Sequence, residues 1–367
     1  MELEIIAKLR IAMKYAGLIF DESFHFIDHL APFCASMGWP LIAFEESVAK
    51  LCRKFYPDLE VIEEPYLPTH VVTCDNRAFL KAAFPTWSPK TLWLPHGLSD
   101  KGWKQPFFEA LGQEDLLLVY GQKMRDTLAA KQIAVPQFSI GNFRYEYYKK
   151  HRTFYDALLI PRVIQESVVE QEASSDFLAE ARDIAKGKDR SEDEKYEAKA
   201  PPLNRLLNHE RYKDLPRFTL YAPTWEDSEN NGTFWDAFLP LAKTVPHLLV
   251  KVHPNTEKKF GPQLERMKGL APHVHFLEEF PPIYPLLERV DLYIGDMSSI
   301  GYDFLTFNRP MIFFQDSPLT SAGTFLSIDE IPELFSKLQP AKSHTLLPYA
   351  FDSVPHWPEK LHTYLDA

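Results

Sequence analysis

The sequence predicts an α/β protein made of two Rossmann-like domains that face each other across a cleft. Short apolar runs alternate with helical periods along most of the chain, and the series occurs twice, separated by a charged segment without an apolar core. Short buried strands alternating with helices are typical of a parallel sheet that is covered on both faces. A chain of 367 residues is long enough for two such domains.

The first domain is predicted over residues 1–150. Apolar positions at helical spacing in residues 3–16 predict an amphipathic helix, which would pack on the domain or lie on a membrane surface. A helix is expected over 24–37. The predicted strands are 17–20, 40–44, 71–74, 91–94, 116–120 and 138–140.

The segment 151–215 is predicted to be a linker or insertion. A helical, acidic stretch at 163–185 is followed by dense charge over 186–200 and a Pro-Pro pair, which favours a solvated connection. The second domain is expected over 216–340, and residues 341–367 form a tail that packs back. The predicted strands of the second domain are 218–221, 247–252, 274–277, 292–294 and 311–314. Helices are predicted at 327–338 in this domain and at 358–365 in the tail.

Composition excludes several classes of function. The net charge of -11 argues against general nucleic-acid binding, which needs a basic face. Three cysteines without close spacing offer neither a disulfide framework nor a zinc site. No signal peptide and no spanning run of roughly 20 apolar residues is visible. We therefore expect a cytoplasmic protein that contacts membranes at most peripherally.

The stretch 290–304 predicts a strand, a tight turn and the start of a helix. Gly295 and Asp296 end the apolar run, and Ser298 and Ser299 precede a new helical period. A helix start exposes unpaired N–H groups that suit an anion, and the turn lies at the carboxyl end of a strand, where ligands bind in such sheets. The alternative is that one serine only caps the helix.

Two other strand ends carry histidines. His96 and Gly97 follow the strand at 91–94, so His96 could move a proton in the cleft or merely bond a loop carbonyl. Alternation along the strand at 247–252 places Lys251 and His253 on one side. A cationic pair at this position predicts an anion pocket next to the serine-bearing helix start.

Two further strand ends are weaker signals. Arg144 follows the strand at 138–140 and could hold a phosphate with its planar fork, or make a surface ion pair. Thr224 lies in a proline turn after the strand at 218–221 and could donate a hydrogen bond to a ligand.

The ordered set of these motifs resembles the CDP-glycerol glycerophosphotransferase family of wall teichoic acid and related capsule synthesis. Such a resemblance implies the two-domain GT-B fold. The matching motifs are His-Gly-x-x-x-Lys at 96–101, Gly-x-x-Arg at 141–144, Tyr-Ala-Pro-Thr-Trp at 221–225, Lys-x-His-Pro at 251–254 and Asp-x-Ser-Ser-x-x-x-Asp-Phe at 296–304.

The resemblance also implies a reaction. A hydroxyl of a polymeric or lipid-linked acceptor would attack the β-phosphate of a CDP-linked glycerol or ribitol, and CMP would leave. His96 would be the base, with Gly97 and Lys101 on the acceptor side. His253 would support the donor phosphates. The other expected donor-side residues are Lys251, Ser298, Ser299, Arg144, Thr224, Asp296 and Asp303. No cofactor or metal is expected.

Two alternatives use the same architecture. A nucleotide-sugar glycosyltransferase or epimerase would bond the donor ribose with a glutamate, and Glu278 and Glu279 follow a predicted strand. A non-catalytic nucleotide-binding protein could also have this fold, because fold alone does not choose function.

Overall fold

The computed structural model describes residues 14–63, 66–100, 106–159, 218–226, 232–277 and 281–367. These residues form two parallel β-sheets with helices on their faces. The first sheet contains strands β1 to β7 and the second contains β8 to β13. Parallel neighbours need long crossovers, and helices supply most of these here.

The first sheet has the order β3-β2-β1-β4-β5-β6-β7. Its strands are β1 (Tyr15–Ile19), β2 (Leu41–Ala43), β3 (Val61–Ile62), β4 (His70–Thr73), β5 (Lys90–Trp93), β6 (Leu116–Val119) and β7 (Gln137–Ser139). Its helices are α1 (Phe24–Met37), α2 (Glu46–Phe55), α3 (Arg77–Ala83), α4 (Pro106–Glu109), α5 (Gln122–Ala130), α6 (Phe143–Lys150) and α7 (Arg152–Leu159), with a 3₁₀ turn at Ala110–Gln113.

The second sheet has the order β10-β9-β8-β11-β12-β13. Its strands are β8 (Phe218–Ala222), β9 (Leu248–Val250), β10 (His275–Phe276), β11 (Val290–Gly295), β12 (Met311–Phe313) and β13 (Thr324–Phe325). The helices are α8 (Phe234–Thr244), α9 (Pro254–Leu270), α10 (Tyr284–Leu287), α11 (Ser299–Phe304), α12 (Leu334–Lys337), α13 (Ser343–Ala350) and α14 (Trp357–Asp366), with 3₁₀ turns at Leu305–Phe307, Pro318–Ala322 and Ile328–Glu333.

Both sheets reverse their strand order at one place. In the first sheet the chain starts at β1, runs out to β3 and returns to β4 on the other side of β1. The second sheet repeats this plan with β8 and β11. Ligands of open α/β sheets bind outside the carboxyl ends of the strands at such a reversal. The loops after β1, β8 and β11 are therefore the places to look for a site.

The C-terminal helices connect the two domains. Asp352, between α13 and α14, accepts hydrogen bonds from Arg125 Nη1 at 2.6 Å and from Ser139 Oγ. The Trp357 ring of α14 stacks on Phe33 of α1 at 5.2 Å between centroids. These contacts hold the end of the chain against the first sheet and its helices.

Some sequence predictions need correction. A helix is predicted at 3–16. Its positions up to residue 13 lie outside the described residues, and its last two positions belong to strand β1. Backbone pairing with β2 and β4 explains the difference, because Ala16 and Gly17 are already inside the sheet. The helix predicted at 327–338 is a 3₁₀ turn followed by the short α12. The predicted acidic helix at 163–185 and the charged stretch at 186–200 lie outside the described residues.

Candidate functional site

A cavity of about 1000 Å³ lies between the two domains. Its walls are the loops at the carboxyl ends of β5 and β9 and the starts of α1 and α11. Of the eleven residues that the sequence predicts for the site, nine line it: His96, Gly97, Arg144, Thr224, Lys251, His253, Ser298, Ser299 and Asp303. Asp296 is not among the lining residues, and Lys101 lies outside the described part of the chain.

The loop that carries His96 docks directly on the second domain. Gly97 has a φ of 125°, in the region that favours glycine. A Cβ atom added there would lie 2.7 Å from Ser299 Cβ, so there is no room for a side chain. Ser99 Oγ donates to the Met297 carbonyl at 3.0 Å. His96 is therefore held close to the serine-bearing turn of the opposite domain.

A second anchor of this loop is Asp100. Its carboxylate accepts from Lys123 Nζ and from the Tyr302 hydroxyl, each at 2.6 Å, and from the Leu319 backbone N–H at 3.1 Å. Tyr302 and Leu319 belong to the second domain. The loop that carries His96 is thus fixed to both domains.

His253 lies on the opposite wall of the cavity, directly after β9. Its Nδ1 accepts a hydrogen bond from the Asn255 backbone N–H at 3.1 Å. A neutral imidazole that accepts at Nδ1 carries its proton on Nε2. The ring also stacks on Trp225, with centroids 6.0 Å apart. In its neutral form, His253 thus carries its proton on Nε2.

Lys251 lines the same wall. Val252, between Lys251 and His253, is buried and also lines the cavity, so the predicted alternation does not extend past the end of β9. Burial lowers the pKa of Lys251, while the carboxylates of Glu257 and Asp28 act in the opposite direction. The lysine brings positive charge into a partly desolvated pocket, where an anion is held more strongly than in water.

Sequence reasoning missed two histidines of α1, His25 and His29. The His25 ring lies close to both predicted histidines, with its centroid 5.4 Å from that of His96 and 6.2 Å from that of His253. Burial lowers the pKa of His25 to about 4, and the Lys251 charge adds to the shift. The sequence does contain a feature that could have identified them. The two histidines are four residues apart in the helix after β1, which places both on one helix face.

Arg144 does not have either of the roles that the sequence suggested for it. The residue is only 5% exposed, so the surface ion pair is wrong. Its Nη1 donates to Asp28 Oδ2 at 2.8 Å and its Nη2 donates to Asp303. Both arms of the fork that would hold a phosphate are therefore already bound to carboxylates. The residue instead links α1, α6 and α11 through a buried ion-pair cluster.

Asp303 and Asp28 are the two carboxylates of this cluster. The Tyr56 hydroxyl donates to Asp28 at 3.0 Å, and the Tyr284 hydroxyl lies 3.0 Å from Asp303. Burial raises the pKa of Asp28 to about 6, although Arg144 acts against the shift. Asp303 lies one turn behind Ser299, where the family resemblance expects it, but it binds an arginine.

Asp296 shapes the site from behind instead of facing a ligand. It is fully buried, and its carboxylate accepts from the Thr224 backbone N–H at 3.0 Å and from Thr233 Oγ1 at 3.1 Å. These bonds connect the end of β11 to the loop after β8. A direct contact of Asp296 with a phosphate is therefore not what the geometry favours.

The two serines of the β11–α11 turn differ. Ser298 is in the N-cap position of α11 without a side-chain cap bond, and its hydroxyl bonds that of Tyr293. Ser299 lines the cavity next to Gly97. Its hydroxyl has no hydrogen-bond partner within the described part of the chain. Ser299 is thus the serine that can bind a ligand. Over the same residues, no group of three metal-ligating side chains is found.

Residues 145–318 match the sequence model of the family described as CDP-Glycerol:Poly(glycerophosphate) glycerophosphotransferase. The match includes the Tyr-Ala-Pro-Thr-Trp, Lys-x-His-Pro and Asp-x-Ser-Ser motifs. The resemblance to this glycerophosphotransferase family is confirmed. His96 and Arg144 precede the matched segment. No curated protein matches the chain significantly in sequence.

Solved structures with the same architecture belong to several enzymes. A variant of the wall teichoic acid polymerase TagF, soaked with CDPG, has a TM-score of 0.55 at 12% identity over 98% of this chain and 89% of its own. UDP-GlcNAc 2-epimerase from Neisseria meningitidis, bound to UDP-GlcNAc, has a TM-score of 0.55 at 12% identity over 97% and 100%. MnaA of S. aureus with UDP has 0.54 at 10% over 96% and 95%.

Identities this low show the fold alone. The predicted fold class, α/β with two Rossmann-like domains of GT-B type, is confirmed. None of the helices in the described ranges has the length and apolar character needed to cross a membrane.

Proposed function

We propose that this chain transfers an alditol phosphate, glycerol or ribitol phosphate, from a CDP-linked donor to a hydroxyl acceptor, with release of CMP. One observation carries the proposal. The donor-side motifs of the matched glycerophosphotransferase family and His96 of the other domain line a single cavity. The product belongs to a teichoic-acid-like or capsular polymer.

The chemistry requires one bond to form and one to break. The acceptor oxygen bonds to the β-phosphorus of the donor, and the bond from that phosphorus to the bridging oxygen breaks. CMP leaves with the bridging oxygen, and the proton of the acceptor hydroxyl passes to a base. Positioning of the reactants and stabilisation of phosphate charge supply most of the catalysis in such transfers.

His96 is the base in this proposal. It lies in the loop of the first domain that docks on Ser299, and its ring is exposed to the cavity. The close packing of Gly97 against Ser299 holds that ring near the wall where the phosphates would bind. A base needs hydrogen-bonding reach to the hydroxyl before its pKa matters, and this loop supplies that reach.

His253 and Lys251 bind the donor phosphates. The Asn255 N–H fixes the His253 tautomer with the proton on Nε2, and an N–H donor of this kind suits a phosphate oxygen. Lys251 adds a positive charge on the same wall, and Ser299 adds a neutral donor. These three groups can offset the charge that develops on the departing CMP.

Binding and turnover of nucleotide donors test the proposal. We expect CDP-glycerol or CDP-ribitol to raise the melting temperature, because a ligand that binds only the folded state stabilises it. We also expect CMP release that depends on an acceptor ending in a hydroxyl. Stabilisation by UDP-GlcNAc without any response to CDP or CMP would instead favour the nucleotide-sugar reaction of the structural neighbours.

The proposal also covers the acceptor and the location. A polymeric or lipid-linked acceptor would be used in the cytoplasm at the inner face of the membrane, with peripheral contact at most. Association with vesicles that carry such an acceptor, lost after a high-salt wash, is the expected observation.

A further inference from the structure

A chain of three groups fixes the ring of His29 under the loop that carries His96. His29 Nδ1 lies 3.0 Å from the Tyr120 hydroxyl oxygen, and that hydroxyl lies 2.9 Å from the Pro95 carbonyl oxygen. Tyr120 is buried at the end of β6. Pro95 immediately precedes His96.

The direction of these hydrogen bonds follows from the chemistry of the groups. A backbone carbonyl can only accept, so the single hydroxyl proton of Tyr120 is donated to Pro95. The Tyr120 oxygen must then accept from His29, which places a proton on Nδ1. Burial lowers the pKa of His29 well below its usual value, with Arg144, His96 and His25 adding to the shift. His29 is therefore neutral, and its Nε2 carries a lone pair.

This lone pair is not used by the protein. His29 is 6% exposed and lines the cavity. Within the described residues Nε2 has no hydrogen-bond partner. The ring edge at Cε1 lies 3.8 Å from the Cβ position of Gly97. A nitrogen that can only accept repels a phosphate oxygen but binds an O–H or N–H group.

We propose that His29 Nε2 binds a hydroxyl group of the acceptor substrate next to His96, and that Tyr120 positions the ring for this contact. The inference rests on the proposed function, which supplies a hydroxyl-bearing acceptor. It adds the part of the first domain that recognises this acceptor. Tyr120 acts only through the His29 tautomer.

Two substitutions at position 29 separate binding from a structural role. In His29→Asn the amide nitrogen takes the place of Nδ1, so the bond to Tyr120 is kept and the cavity-facing acceptor is lost. In His29→Gln the amide oxygen takes the place of Nε2, so the acceptor is kept and the bond to Tyr120 is lost. The probes are CDP-glycerol as donor and sn-glycerol 3-phosphate as hydroxyl acceptor.

We expect His29→Asn to raise the KM for sn-glycerol 3-phosphate roughly tenfold, as for one lost hydrogen bond, with unchanged CDP-glycerol affinity. His29→Gln should keep a lower acceptor KM than His29→Asn, although it melts at a lower temperature. The opposite order, in which acceptor KM follows melting temperature, would overturn the inference. Loss of CDP-glycerol affinity in His29→Asn would overturn it too, because His29 would then contact the donor.

Long-range ¹H–¹⁵N NMR of histidine-labelled protein tests the inference without any turnover. His29, assigned by difference from His29→Asn, should show a protonated Nδ1 and an unprotonated Nε2. The Nε2 signal should shift when sn-glycerol 3-phosphate is added, and this shift should be much smaller in Tyr120→Phe. A protonated Nε2 in the free protein, or no shift on titration, would contradict the inference. If the wild type shows no transfer from CDP-glycerol, the proposed function fails. The NMR titration still decides whether His29 binds the hydroxyl compound.

Discussion

The two predicted catalytic histidines differ in what surrounds them. His253 has its tautomer set by the Asn255 backbone N–H, whereas His96 follows a strand end and faces the cavity from the other domain. The ring of His25 lies close to both of them. In the proposed function these two histidines have different tasks because their surroundings differ.

Alanine substitutions should separate the two tasks. His96→Ala removes the base, so single-turnover transfer should fall by about 10²–10⁴, while CDP-glycerol binding stays nearly intact. His253→Ala removes a phosphate donor and should weaken both. Donor titrations, single-turnover rates and thermal melts of the variants check this. A well-folded His96→Ala protein with a wild-type rate would end the assignment of the base.

His25 should leave a signature in the pH dependence of stability. Unfolded His25 titrates near its ordinary value of 6.5 and the folded residue near 4. The unfolded chain then binds more protons in this window, so stability falls as the pH drops through it. The unfolding free energy of wild type minus that of His25→Gln should decrease by roughly 2 kcal/mol between about pH 7 and about pH 4.5. Urea denaturation at both values measures it, and a constant difference would contradict the lowered pKa.

At the scale of elements, the turn between β11 and α11 joins the two walls of the cavity. The Met297 carbonyl of this turn accepts a hydrogen bond from Ser99, and the turn packs against Gly97 of the first domain. The Asp296 carboxylate accepts a hydrogen bond from the loop after β8. One turn therefore positions loops of both domains at the cavity.

The two serines of this turn should respond differently to substitution. Ser299→Ala should weaken CDP-glycerol binding by roughly 1 kcal/mol, as for one neutral hydrogen bond. Ser298→Ala is the matched control, since the Ser298 hydroxyl bonds Tyr293; it should lower thermal stability more than donor affinity. Calorimetric titration with CDP-glycerol compares them. Equal donor affinities in the two variants would count against Ser299 as a ligand.

At the scale of the whole molecule, the Asp28–Arg144–Asp303 cluster binds the domains together. Its members come from α1, α6 and α11, and all three side chains are buried. A buried charge is costly once it loses its partner. Arg144 is therefore one of the residues that fix the two domains relative to each other.

Arg144→Met should lower the free energy of unfolding by about 3–5 kcal/mol, because two buried carboxylates lose their cation. The control is Arg53→Met, which breaks the half-exposed pair of Arg53 with Glu63; a loss of less than about 1 kcal/mol is expected there. Urea denaturation measures both. Similar small losses in the two variants would show that the cluster adds little to stability.

The sequence by itself determined the fold class and most of the lining of the cavity. Apolar periodicity is a local property, and the topology brings the carboxyl ends of parallel strands together, so His96, Lys251, His253 and Ser299 could be placed on one cleft from their strand positions. The same rule applies twice because both sheets have one reversal of strand order.

Only the tertiary structure decided which side chains pair inside that cleft. Arg144 binds Asp28 and Asp303, which are 116 and 159 residues away in sequence. Asp296 turns away from the cavity to bind Thr224, and His29 joins the site through Tyr120, 91 residues further along the chain. No local pattern encodes such partners, because a polar side chain bonds whichever group the packed helices and strands bring within hydrogen-bonding distance.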